Sequence, residues 1–202
     1  MDEEKKGYGL LDYVVTLVLV VLNLAAFALE GMVGSSEDAG TLLRLGAWYT
    51  PFVCQGQYFR FVSSMFLHIG INHLSNNMLS LAVLGHFLEP RIGHLRLFFI
   101  FMAGGILGNL TDLVWDLATG DNAVSAGASG GICALLGAIT WLVLFRREKV
   151  RELTPPRLGL ALVCLVVGSL AEPNVDVVAH IGGFVGGFAV CALSFAGDKG
   201  IV

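Results

Sequence analysis

Six stretches of the chain approach the apolarity of a membrane span: residues 10–29, 72–88, 95–115, 126–145, 158–171 and 177–196. An α-helix rises about 1.5 Å per residue and needs about 20 apolar residues to cross a bilayer core, fewer where polar groups face a protein interior. Each stretch therefore predicts a transmembrane helix, the fifth being short. Residues 30–71 break the pattern, and their aromatic side chains, among them Trp48, Tyr49, Tyr58, Phe59 and Phe66, predict a loop lying in the membrane interface. The run at 10–29 has the apolarity of a signal peptide, but it follows the acidic start Asp2-Glu3-Glu4 and lacks a cleavage site, so a retained helix is expected. With no appended soluble domain or internal repeat visible, residues 1–202 read as one all-α membrane domain of six spans.

Composition strengthens this picture. The 202 residues are 55% hydrophobic and only 14% charged, with mean hydropathy +0.76, whereas soluble domains carry about a quarter charged residues. A soluble enzyme is excluded on that ground. The 26 glycines follow no Gly-X-Y period, so closely packed membrane helices explain them better than collagen or a linker. Twelve basic residues against 16 acidic ones form no patch able to track a phosphate backbone, which argues against a nucleic-acid partner. The four cysteines show no CxxC pairing; Cys133, Cys164 and Cys191 sit in apolar runs as small hydrophobes, and neither disulfides nor zinc is expected.

Orientation follows from Lys and Arg, which cytoplasmic loops retain. With the N-terminus inside, ten of the 12 basic residues are cytoplasmic, including Lys5, Lys6, Arg91, Arg96 and the stretch Arg146 to Arg157; only Arg44 and Arg60 lie outside. Both termini are then cytoplasmic.

Against that apolar background, His73, Asn77, Ser129 and His180 stand out, because a polar group within a span is costly and calls for an explanation. All four fall near the outer ends of their spans. Gly183 and Gly187 share the helical face of His180, with Gly182 and Gly186 beside it. On the fourth span Cys133 and Gly137 follow Ser129, and Gly130, Ala134 and Ala138 form an adjacent small-residue stripe. Two such faces can pack until backbones nearly touch, bringing the Ser129 hydroxyl within reach of a His180 ring nitrogen, as an activated nucleophile requires. His73 and Asn77, spaced i and i+4, point the same way and can donate to an oxyanion together with the Ser129 backbone N–H. Bland readings exist for each residue singly: a serine back-bonded to its own helix, glycines that only pack, an Asn or His in an interhelical hydrogen bond. It is their conjunction at one depth that points to chemistry. His68 could pack beside His73, while His86 and His94 fall at cytoplasmic ends.

Three motifs in order, Gly127-Ala128-Ser129-Gly130, His180-Ile181-Gly182-Gly183 followed by Gly187, and His73-Leu74-Ser75-Asn76-Asn77, resemble the GxSG, AHxGG-type and HxxxN signatures of the rhomboid family. The resemblance covers nearly the whole chain. It implies a six-transmembrane-helix rhomboid-like bundle with a half-embedded first loop, and an intramembrane serine endopeptidase. Ser129 would be its nucleophile and His180 its base, with His73, Asn77 and the Ser129 N–H stabilising the oxyanion. It further implies single-pass transmembrane proteins as substrates, cut near the outer face, and no cofactor or metal. The compact design points to a bacterial cell membrane. Phe59-Arg60 stands where the family has Trp-Arg, and Cys133 where it often has an aromatic packed on the histidine. Glu89 and Arg91 resemble the family's structural polar cluster.

Two other functions compete. A client-binding relative without activity would typically lack the serine or the histidine. A six-helix transporter would need a polar path through both leaflets, whereas these polar groups occupy the outer half. Metalloprotease and paired-aspartate readings find no support: HExxH is absent, and Asp112 and Asp116 both approach the outer end of their span.

Overall fold

The computed structural model describes residues 9–147, 150, 153, 156, 159 and 176–197. Within them a 3₁₀ turn, Leu10–Tyr13, leads into α1 (Val14–Val33), followed by the short helices α2 (Ala39–Leu45), α3 (Thr50–Cys54) and α4 (Arg60–Ser63) and a second 3₁₀ turn, Ser64–Phe66. The long helices among the described residues are α5 (Gly70–Ile92), α6 (His94–Thr119), α7 (Ser129–Phe145) and α8 (Val177–Ser194). Among the described residues the one β-pairing is an isolated antiparallel bridge between Trp48 and Ser125.

Five of the six expected spans are thus helices, and the fifth, 158–171, lies outside the described residues except for Gly159. Leu10–Val33, His94–Thr119 and Val177–Ser194 are both long and apolar enough to cross a membrane, while α7 is apolar but only 17 residues long. Helix α5 has the length, 23 residues, but His73, Asn76, Asn77, Glu89 and Arg91 dilute its apolar character. The fourth span differs from expectation at its start. Residues 126–128 are not helical: Gly127 has φ +153°, and Ser129 is the first helical residue.

α1 is polar inside and apolar outside, the reverse of a soluble helix. Its buried residues are Thr16, Leu19, Asn23 and Glu30, while Leu17, Val18, Val21 and Leu22 are exposed. An apolar exterior costs nothing against lipid, and interior polar groups gain by bonding one another. At one end the buried Glu89 of α5 accepts from the Val15 N–H (2.7 Å), the Thr16 N–H (2.8 Å) and the Thr16 hydroxyl, so a carboxylate from another helix satisfies α1's opening donors. His94 Nδ1 sits 2.6 Å from the same carboxylate.

The centre of the molecule is α6, α7 and α8, packed through glycine. A methyl at Gly183 would collide with the Gly130 carbonyl, at Gly187 with the Ala134 carbonyl, and at Gly137 with the Phe184 carbonyl. The stripe Gly130/Ala134 on α7 therefore meets Gly183/Gly187 on α8, as the spacing predicts. Gly182 and Gly186 face the other way, against Gly108 and Gly104 of α6, with Cα atoms 3.1 and 3.5 Å from where their side chains would begin.

The first loop is only partly the surface layer its aromatics predict. Tyr58 and Phe59 are exposed, but Trp48 is fully buried. Arg60, expected in an outer loop, is buried too. Its guanidinium donates to the Ala47 carbonyl (2.5 Å), the Leu43 carbonyl (2.9 Å) and Gln57 Oε1 (2.9 Å), and it stacks over the Phe52 and Phe59 rings. The cation thus organises the loop as an internal cross-link, and burial lowers its pKa from the ordinary arginine value.

Candidate active site

The segment 125–130 is held from three sides. Ser125 pairs with Trp48 through two backbone bonds of 2.8 and 3.2 Å, and the Gly127 N–H donates to the Ser64 carbonyl at 2.9 Å, tying the segment to the first loop. The Ser125 hydroxyl donates to Asp176 Oδ2 at 3.3 Å, and Asp176 Oδ1 in turn accepts the Ala179 N–H at 2.7 Å, capping α8. One short chain of bonds therefore links the residues before Ser129 to the helix end that carries His180.

Gly127 brings α5 into the same place. A Cβ there would lie 2.7 Å from His73 Cε1, 3.0 Å from His73 Nε2 and 3.5 Å from Asn77 Nδ2, so only a glycine lets the backbone approach both side chains, and its φ also suits glycine. Asn77 is buried, and its amide nitrogen has no hydrogen-bond partner among the described residues. Ser129 is half-buried at the first position of α7. The first ladder bond runs from the Ile132 N–H to the Ala128 carbonyl (3.0 Å), so the N–H groups of Ser129, Gly130 and Gly131 lie ahead of the ladder at the positive end of the helix dipole. His180 is half-buried in the first turn of α8, within electrostatic reach of both Asp176 and His73. Gly130, next to Ser129, touches Gly183, three residues beyond His180.

Cys133, at the position one turn below Ser129, is fully buried. His68 stands beside His73, with ring centroids 5.3 Å apart and planes at 66°. His86 stacks on Tyr13, and His94 pairs with Glu89; neither joins the cluster.

Several participants carry no role in the sequence reading. Glu30 lies one residue beyond the expected first span, yet it is buried and accepts the His68 backbone N–H at 2.9 Å. A carboxylate at the end of an apolar run was the available signal. Asp112, Asp116, Asp121 and Asp176 line a cavity of about 490 Å³ beside Ser125, and the Thr50 hydroxyl donates to Asp116. No group of three or more His, Cys, Asp or Glu able to hold a metal occurs among the described residues.

Comparison with known proteins agrees with this architecture. The model of the Rhomboid domain matches residues 55–197. The chain is 32% identical over 177 residues to the rhomboid protease GluP of Bacillus subtilis (strain 168), a match covering 88% of this chain and 34% of that protein. It is 30% identical over 145 residues to the putative rhomboid protease YdcA of the same organism, covering 72% of this chain and 71% of the relative. RHOMBOID-like protein 5 of Arabidopsis thaliana is 36% identical over 153 residues, covering 73% of this chain and 48% of the relative. The chain belongs to the rhomboid family and is an integral membrane protein. It spans about a third of GluP and about half of the plant relative.

Proposed function

We propose that the chain is a rhomboid-type serine endopeptidase that cleaves single-pass transmembrane proteins near the outer face of the membrane. Ser129 is the nucleophile, and His180 takes the hydroxyl proton as it attacks the scissile carbonyl. His73, Asn77 and the Ser129 N–H receive the oxyanion, and His180 returns the proton to the leaving amine. Water, activated by the same histidine, then hydrolyses the acyl-enzyme. The reaction calls for no metal or cofactor. Substrates present a locally unwound stretch with small or helix-breaking residues, because peptide bonds inside a stable helix are shielded.

The observation that carries this reading is the approach of His73 and Asn77 to Gly127, where a side chain would otherwise begin, two residues ahead of Ser129. It sets two polar side chains beside a helix start whose own N–H groups precede the ladder. A buried amide donor that bonds no described residue is costly to keep, and a transition-state oxyanion would give it a partner. Two relatives that bear the word protease in their names add support.

Fluorophosphonate labelling of the detergent-solubilised protein tests the dyad without a known substrate. Label on the wild type at Ser129, absent from Ser129→Ala and strongly reduced in His180→Ala, is the expected result. Folded wild type that takes no label would sink the reading and favour client binding.

A further inference from the structure

We propose that His68 is a positioning residue for His73, and that Glu30 tethers it, so that α1 sets the orientation of one oxyanion donor through the chain Glu30, His68, His73. The inference rests on the oxyanion role of His73 proposed above.

His68 is fully buried just before α5, and neither ring nitrogen meets a partner in good hydrogen-bond geometry among the described residues, although the Phe66 carbonyl lies near the ring. A buried imidazole in this state contributes through its ring contacts, and the contact it makes is with His73, edge to face at 5.3 Å and 66°. That arrangement suits the aromatic quadrupole and resists rotation of either ring. Burial first, then the neighbouring His73, push the His68 pKa down to about 3, against a smaller opposing effect of the Phe66 carbonyl. The ring is accordingly neutral at working pH and sets no cation beside the donor.

The backbone of His68 is held as firmly as its ring is packed. Its N–H donates to Glu30 Oε1 at 2.9 Å, and Glu30 is itself fully buried. On its far side, His73 presents Cε1 and Nε2 to Gly127. A shift of His68 therefore turns the His73 edge that faces the segment before Ser129. The arrangement gives α1 an effect on the reaction that its distance along the chain from the motifs does not suggest.

Substrate cleavage and His73 ring resonances, read on the same proteins, test the inference. His68→Ala should lower kcat at least tenfold with KM nearly unchanged, and His68→Phe, which keeps a ring at the contact, should restore most of it. In a His73→Ala background, His68→Ala should cost no further activity. Equal losses in the two backgrounds, or a His68→Leu variant as active as His68→Phe, would overturn the proposal. The His73 ring proton shifts, assigned by their loss in His73→Ala, should move in His68→Ala and in Glu30→Leu, and return in His68→Phe and Glu30→Gln. Shifts unchanged in folded His68→Ala and Glu30→Leu also overturn it. This readout needs no catalysis: if wild type cleaves nothing while the shifts behave as described, the protease reading fails and the positioning chain stands.

Discussion

Glu89 illustrates how one residue in this chain carries more structure than its neighbours in sequence disclose. It looked like part of a polar cluster at the end of a span, and it is a cap for a helix 73 residues earlier. Replacing it by Ala would strand the Val15 and Thr16 N–H groups in a buried site, at about 1–3 kcal/mol for each unsatisfied donor. A Glu89→Ala protein should therefore melt several degrees lower in detergent, and Glu89→Gln, which keeps an acceptor, should recover part of the loss; an unchanged melting curve would refute the capping role. His68 shows the converse. Its type and position suggested a bystander packed near His73, and no spacing rule could have revealed the edge-on ring contact or the buried carboxylate beneath it. The motif residues themselves were legible because His73 and Asn77 are four apart on one helix, where local geometry alone aligns them.

At the scale of elements, glycine spacing proved informative because membrane helices pack by backbone approach rather than by hydrophobic burial. The pairing of Gly130/Ala134 with Gly183/Gly187 was readable from two stripes, and the structure adds that Gly182 and Gly186 serve a third helix, α6. Gly187→Ala should force α7 and α8 apart, since its methyl would meet the Ala134 carbonyl. Overpacking of this kind costs about 1–3 kcal/mol, and fluorophosphonate labelling should fall together with thermal stability. Gly31→Ala is the control: nothing lies within 4 Å of the added carbon, and labelling and melting should match wild type. The start of α7 was less legible. Apolarity runs on through Ala126 and Ala128, so the pattern predicts helix, but the approach of Gly127 to His73 and the Ser64 carbonyl's hold on its N–H draw the chain out until Ser129.

For the whole molecule, the distribution of Lys and Arg predicts which side of the membrane each loop faces, and the native cysteines offer a test. Cys54 is exposed in the first loop, whereas Cys133 and Cys191 are buried. In a Cys164→Ala background, since Cys164 lies outside the described residues, a membrane-impermeant maleimide applied to intact cells should label Cys54 and fail to label its Cys54→Ser variant. Labelling of Cys54 only after permeabilisation would reverse the orientation. Ser125, Asp176 and the acidic cavity lie at the end of the bundle that carries the first loop, all tied to the same segment that leads into Ser129.

By itself the sequence determined the class of solvent, the approximate spans, their packing stripes and the motif residues. These depend on composition and on periodicities of a few residues, which the chain carries locally. The tertiary structure decided what no local period encodes: that Arg60 and Trp48 turn inward, that Glu89 caps α1, that Asp176 ties the Ser125 segment to the start of α8, and that Glu30 reaches His68. Each of these satisfies a buried polar group, or packs a buried ring, with a partner distant along the chain. A bilayer's core offers no water to do it instead, so such partners must be found within the fold.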